Sequence, residues 1–496
     1  MRRPLVLALP LAAAALLGAA PAAPSKPSAA PAAVNASKGA LSDALKARRP
    51  AGGEYFGLYL MDKKVGYIFT DLKALPDGRA LSVNEFVFKA NVGTKVSERV
   101  MREERTYESR PGGRLLGFKV MQSGDGGEQV LEGSATPTGL RVLRKRPGLP
   151  NEVRNLPPTK ETLEDADQAR VALLRGQPVK GRIVDGQDLE QYGVSTTLEP
   201  AVERTLAGVK VRLSRAVTVS EKENVPVEVF VSGEGEVVEV NFGSTMRAVA
   251  EPESVAKRLD QVEVFGLTRI VLPRALPETA RAIPGTVTLV MTGLPQKFQQ
   301  NSYRQQYTQE PGGRVVVRTR AALPGPAAKA QLPVKDPEGG ENLKSTLVVE
   351  SSDPQIRALA KSIVGPEKDA QAAARRIITW VATNLEKDYG ASADRATDVL
   401  RQKKGDCTEH SLLAVALLRA AGIPSRRVDG VVYLMNEDRV PALYWHEWVE
   451  AYVGEWTQMD PTFNQLVADA THFGVGQEGN AEITPLIGQL KVVEVR

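Results

Sequence analysis

One cysteine, Cys407, stands in the stretch KKGDCTEHSLLAVALLRAAGIPSR, and a histidine and an aspartate, His446 and Asp460, follow it in YWHEWVEAYVGEWTQMDPTF. A deprotonated thiol is a nucleophile, an imidazole can take and return a proton, and a carboxylate can orient the imidazole. Brought together, the three would support acyl transfer. Asp406 precedes the cysteine and Glu409 lies three residues after Asp406, a capping-box spacing that predicts Asp406 as N-cap and Cys407 as the first helical residue. The N–H groups and dipole at a helix start favour negative charge, so the thiol is expected to titrate below its ordinary value of about 8.5. The competing reading is a small residue opening a buried helix.

Geometry must then meet one condition. Residues 444–463 read as two strands around Gly454-Glu455, with His446, Trp448, Glu450 and Tyr452 on one face of the first strand. A two-residue turn would pair Val453 with Trp456 and put Asp460 on the face away from His446. A three-residue turn over Val453–Glu455 pairs Tyr452 with Trp456 and sets Asp460 opposite Trp448, one diagonal step from His446. Trp445 and Trp448 are expected to wall the site, and His410, on the cysteine's own helix, to pack beside it.

The elements that would hold these residues follow from hydrophobic period. Leu412, Leu413, Ala416, Leu417 and Ala420 form a buried helical face ended by Gly422 and Pro424. Upstream, SDPQIRALAKSIVG and EKDAQAAARRIITWVATNLEKDYG have helical spacing, the second up to Gly390, and a short helix is expected at Ala396–Gln402. Residues 347–496 thus read as a core domain, helices first and an antiparallel sheet after. Residues 52–265 read as a β-rich antiparallel region, with hairpins at Gly-Asp-Gly-Gly and Pro-Thr-Gly and one helix in ETLEDADQARVALLRG. A strand-rich bridge is expected at 266–325 and a linker at 326–346. The fold class expected is α+β.

Composition narrows the function. Met1-Arg2-Arg3, the apolar run Leu5–Leu17 and the small residues to Ala22 read as a signal peptide over 1–22, cleaved near Ala22, followed by a flexible leader over 23–51. An exported protein, periplasmic or extracellular and without a membrane span after processing, is the expectation. A net charge of +5 with both signs interspersed, and 5% aromatic residues, argue against nucleic-acid binding. Three histidines and one cysteine provide no zinc-ligand spacing and no calcium loop is present, so neither metal nor cofactor is expected.

KKGDCTEHSLLAVALLRAAGIPSRRVDG, YWHEWVEAY and EWTQMDPT resemble, in order, the three motifs of the transglutaminase-like superfamily, whose core is papain-like. The resemblance covers about 350–470 and extends loosely upstream, where secreted bacterial members carry β-rich regions. It implies Cys407 as nucleophile, His446 as general base and acid, and Asp460 as the carboxylate that orients the imidazole. The implied activity is that of an exported thiol acyltransferase or cysteine peptidase. It would act on peptide or glutamine-type amides through a thioester, with protein or peptide substrates. The alternative from another class is a non-catalytic binding or scaffold protein of the cell envelope, using the β-rich region to meet envelope proteins.

Overall fold

The computed structural model describes residues 40–496 apart from 93–94, 125–126, 147–149, 187–188, 207, 222–224, 300, 326–328, 347, 389–392, 394, 437 and 478–485. The expected signal peptide at 1–22 and most of the expected leader lie outside the described residues. No helix among those described is long and apolar enough to cross a membrane. Two compact units divide the chain, one built on Glu98–Val262 with the segment ending at Ala90, the other on Glu263–Arg496 with Asn91–Ser97.

The first unit is organised around a fourteen-stranded sheet of antiparallel hairpins. Eight strands, from Glu54–Leu60 to Glu152–Leu156, follow one another as a meander, and six more, from Val179–Val184 to Met246–Ala250, form a second. The two meanders join where Glu54–Leu60 pairs with Met246–Ala250, with Leu58 opposite Ala248. Local turn chemistry accounts for the hairpins: Thr136 pairs with Gly139 across the Pro137-Thr138 turn. The expected helix lies between the meanders at Gln168–Arg175, preceded by a 3-10 turn at Leu163–Asp167.

In the second unit, after a short helix at Val264–Thr268, four helices between 354 and 420 precede the long strands of its main sheet. Helix α1 (Pro354–Val364) starts at Asp353, which caps the Gln355 and Ile356 N–H groups, with Pro354 at the first position. Helix α2 (Ala370–Asn384) is capped by Asp369 in the same way. It stops at Asn384, short of the expected Gly390, because the chain turns extended and pairs Glu386–Lys387 in parallel with Lys404–Gly405. Helices α3 (Ala396–Gln402) and α4 (Cys407–Ala420) follow. From Glu409 to Arg419 every residue of α4 is buried, as expected for a helix surrounded by protein. Its Leu413 and Leu417 pack with Ile356 of α1, Ile377 of α2 and Val449 in one core.

Strands β1 (Ser425–Met435), β2 (Pro441–Tyr452), β3 (Trp456–Met459) and β4 (His472–Gln477) form the sheet against this helix. β1 lies between β2 and β4, while β3 and the short strand Ile270–Val271 both pair with β2. All these pairs are antiparallel. The rest of 266–325 supplies three strands, Gly285–Thr292, Gln305–Glu310 and Arg314–Ala321, which form a four-stranded sheet with Lys491–Val495.

Candidate functional site

The cysteine's position is set by its cap. Asp406 accepts the Thr408 N–H at 2.7 Å and Glu409 accepts the Asp406 N–H at 2.9 Å, completing the capping box and making Cys407 the first residue of α4. Gly422, with φ of 80°, ends the helix in a conformation that a side chain would strain. Ser411 donates to the Glu447 carbonyl at 3.1 Å and ties α4 to β2, the strand that carries His446.

The thiol is enclosed. Cys407 is 2% exposed and packs with Phe265, Ala442 and Tyr444, with Leu434 and Phe463 alongside. Burial pushes the thiol well above its ordinary value, and the Asp406 and Glu447 carboxylates push the same way, opposed by the Glu447 backbone N–H. The expectation of a lowered thiol is therefore overturned. The helix start supplies favourable dipoles, but the carboxylate that caps it stands beside the sulfur and burial removes the hydration a thiolate needs.

His446 lies on β2 opposite Gly430 of β1. Only glycine fits there, because a Cβ would stand 2.2 Å from the Phe473 carbonyl oxygen and 2.5 Å from the Trp448 ring. His446 Nε2 donates to Asp460 Oδ2 at 2.7 Å, and Nδ1 is buried with no hydrogen-bond partner among the described residues. An ionised carboxylate only accepts, so Nε2 bears the proton and Nδ1 the lone pair. Burial lowers the His446 pKa against the pull of Asp460, leaving a neutral imidazole. Trp448 stacks at 5.8 Å between ring centroids and Phe463 lies at 5.1 Å. Trp445, expected beside them, is buried with its N–H donated to the Thr268 carbonyl.

Asp460 reaches His446 because the hairpin has the three-residue turn: Tyr452 pairs with Trp456 and Val449 with Met459. Its other oxygen, Oδ1, accepts the Thr462 and Phe463 N–H groups at 2.7 and 3.1 Å, so the turn that follows locks the carboxylate. Burial alone would raise its pKa, but the His446 and His472 rings hold it far below the usual carboxylate range.

His410 packs close by. Its Nδ1 donates to the Asp406 carbonyl at 2.6 Å, its Nε2 is buried with no hydrogen-bond partner among the described residues, and burial brings its pKa down to about 4. His472, at the start of β4, escaped sequence reading: its Nε2 lies 3.1 Å from Asp460 Oδ2 and its Nδ1 3.2 Å from Asp469 Oδ1. The available signal was scarcity, for the chain has three histidines and all three converge here. His446, Asp460 and His472 place one donor atom each within 4.8 Å of one another, a spacing that a cation could span. The hydrogen bonds account for it without one, since both Nε2 atoms bear protons directed at the carboxylate.

Residues 357–461 match the transglutaminase-like superfamily, so the chain carries a transglutaminase-like domain there. An uncharacterized protein of Mycobacterium leprae (strain TN) is 30% identical over 143 residues, 27% of this chain, and the chain spans 50% of that relative's length. Among solved structures, a candidate cysteine protease from Cytophaga hutchinsonii is 17% identical over 43% of this chain and 84% of its own, with a TM-score of 0.28. A candidate protease from Parabacteroides distasonis is 13% identical over 80% and 71%, with a TM-score of 0.19. A β-barrel-like protein from Brucella abortus is 9% identical over 40% and 94%, with a TM-score of 0.30.

Proposed function

From a transglutaminase-like domain at residues 357–461, we propose that the protein is a cysteine-dependent acyl-transfer enzyme acting on peptide or glutamine-type amides. The observation that carries this reading is the 2.7 Å His446–Asp460 bond that leaves the buried His446 Nδ1 with a lone pair. In the proposed reaction the Cys407 S–H proton passes to His446 Nδ1 as sulfur attacks the amide carbon. The C–N bond then breaks, His446 returns the proton to the leaving amine, and a thioester on Cys407 remains. Water or a second amine, deprotonated by His446, attacks the thioester and regenerates the thiol. In this reaction the Cys407 backbone N–H, at the first position of α4, serves as an oxyanion donor, since first-turn amides have no partner within the helix. A neutral thiol and a neutral imidazole fit a mechanism in which the proton moves during attack rather than beforehand.

Burial of the thiol favours a second reading, a transglutaminase-like binding or scaffold module whose triad is silent. The two are separated by incubating the native protein with a library of peptide amides, quenching in acid and weighing the intact chain. A thioester adduct that is absent from Cys407→Ala supports the enzyme. No adduct with any peptide, under conditions where unfolded protein still alkylates, supports the module.

A further inference from the structure

We propose that His472 is a positioning residue for this site, which makes the working array Cys407–His446–Asp460–His472–Asp469 rather than a triad. The inference rests on the acyl-transfer reading above and adds a member to the same site. The His446 and His472 Nε2–H groups meet on one oxygen of Asp460, at 2.7 and 3.1 Å, while two backbone N–H groups hold the other oxygen. With four donors on it the carboxylate has no alternative orientation, and His446 is held in the tautomer that leaves Nδ1 for the thiol.

His472 is itself fixed. Its Nδ1 faces Asp469 Oδ1, which also accepts the Thr471 N–H at 2.9 Å, and Asp469 Oδ2 accepts from Gln465 at 2.9 Å and faces Arg281 at 3.4 Å. Arg304 donates to the His472 and Asp469 carbonyls at 3.2 and 2.7 Å, and the Trp448 ring stands edge-on at 5.2 Å. The His446 ring lies at 5.7 Å and the Phe463 ring at 6.5 Å. Each ring nitrogen of His472 therefore faces an ionised carboxylate, and both must carry protons. Burial works against this charge, but the bonds to Asp460 and Asp469 outweigh it and the pKa is raised. A ring serving only as packing would need neither carboxylate.

Because the chain has three histidines, imidazole 15N spectra of the full protein contain three ring systems that single substitutions assign. At neutral pH the array predicts an unprotonated Nδ1 at His446 and two protonated nitrogens at His472. The amide of His472→Gln reaches the Nε2 position and should leave the His446 signals in place. The amide of His472→Asn reaches only the Nδ1 position and should give tautomer averaging at His446. It should also slow Cys407 acylation by an activated ester by about tenfold, as loss of an outer partner does at other sites. A folded His472→Asn with His446 signals unchanged would overturn the proposal, and so would a neutral His472 in the wild type, which needs no variant to fold. The spectra can be recorded on Cys407→Ala, where no acyl transfer occurs, so failure of the enzyme reading and failure of the array are read separately.

Discussion

Tyr452 stands directly opposite Trp456, and this pairing decides whether Asp460 can reach His446. Side chains alternate faces along a strand, so one residue of slippage would exchange the carboxylate for its neighbour. Deleting Thr457 keeps the turn, shifts every later residue of the strand by one place and brings Asp460 opposite Val449, on the far face. Acylation of Cys407 by an activated ester should then fall by at least about a hundredfold, in line with loss of the orienting carboxylate. Equal rates in the deletion variant and the wild type, both shown folded by circular dichroism, would remove Asp460 from the site.

Asp460→Asn tests the same carboxylate without moving the chain. Its amide nitrogen cannot accept from His446, so the imidazole loses the partner that fixes its tautomer. A loss of roughly 10²- to 10⁴-fold in acylation is expected. Removing the buried charge between two rings should also cost about 3 kcal/mol in urea unfolding.

The local parts of this site were legible in the sequence and the long-range parts were not. Asp406 and Glu409 announce a cap within one turn, and the apolar spacing of Leu412–Ala420 announces the helix behind it. The two candidate hairpin registers follow from strand alternation alone. His472 joins Asp460 only because β4 returns beside β1, with Val432 opposite His472, a pairing that no local pattern encodes. Phe265 reaches the thiol from a distant part of the chain, and that burial reverses the expected shift of Cys407. In the first unit, turns and alternation signal the strands, but the pairing of Leu58 with Ala248 that unites two meanders is again a matter of topology.

The capping carboxylate both holds α4 and opposes ionisation of Cys407, second only to burial. Asp406→Asn keeps a capping oxygen and removes the charge. Iodoacetamide labelling of the chain's one cysteine should quicken at a pH below the thiol pKa, because removing the charge lowers that pKa and raises the thiolate fraction. Slower labelling in the folded variant would show that the charge assists the thiolate instead.

His410 predicts an acid dependence of stability. Its folded pKa, about 4, lies below the ordinary histidine value, so the unfolded chain binds its proton first as pH falls. Its contribution is steady above about pH 6.5 and is lost progressively down to about pH 4, by an amount of order 3 kcal/mol. In His410→Gln, unfolding free energies measured across that window should fall less steeply than in the wild type. A slope unchanged by the substitution would show that His410 is protonated in the folded state.

The central claim is that Cys407 and His446 act together in acyl transfer. It is tested most directly by the rate at which p-nitrophenyl acetate acylates Cys407 in native wild-type protein and in His446→Ala, followed by intact mass. The account predicts a single acyl group on wild type, absent from Cys407→Ala, and at least about a hundredfold slower acylation without the imidazole. Equal rates in wild type and His446→Ala, or acylation only after unfolding, would contradict it and leave a transglutaminase-like domain whose thiol is a buried structural residue.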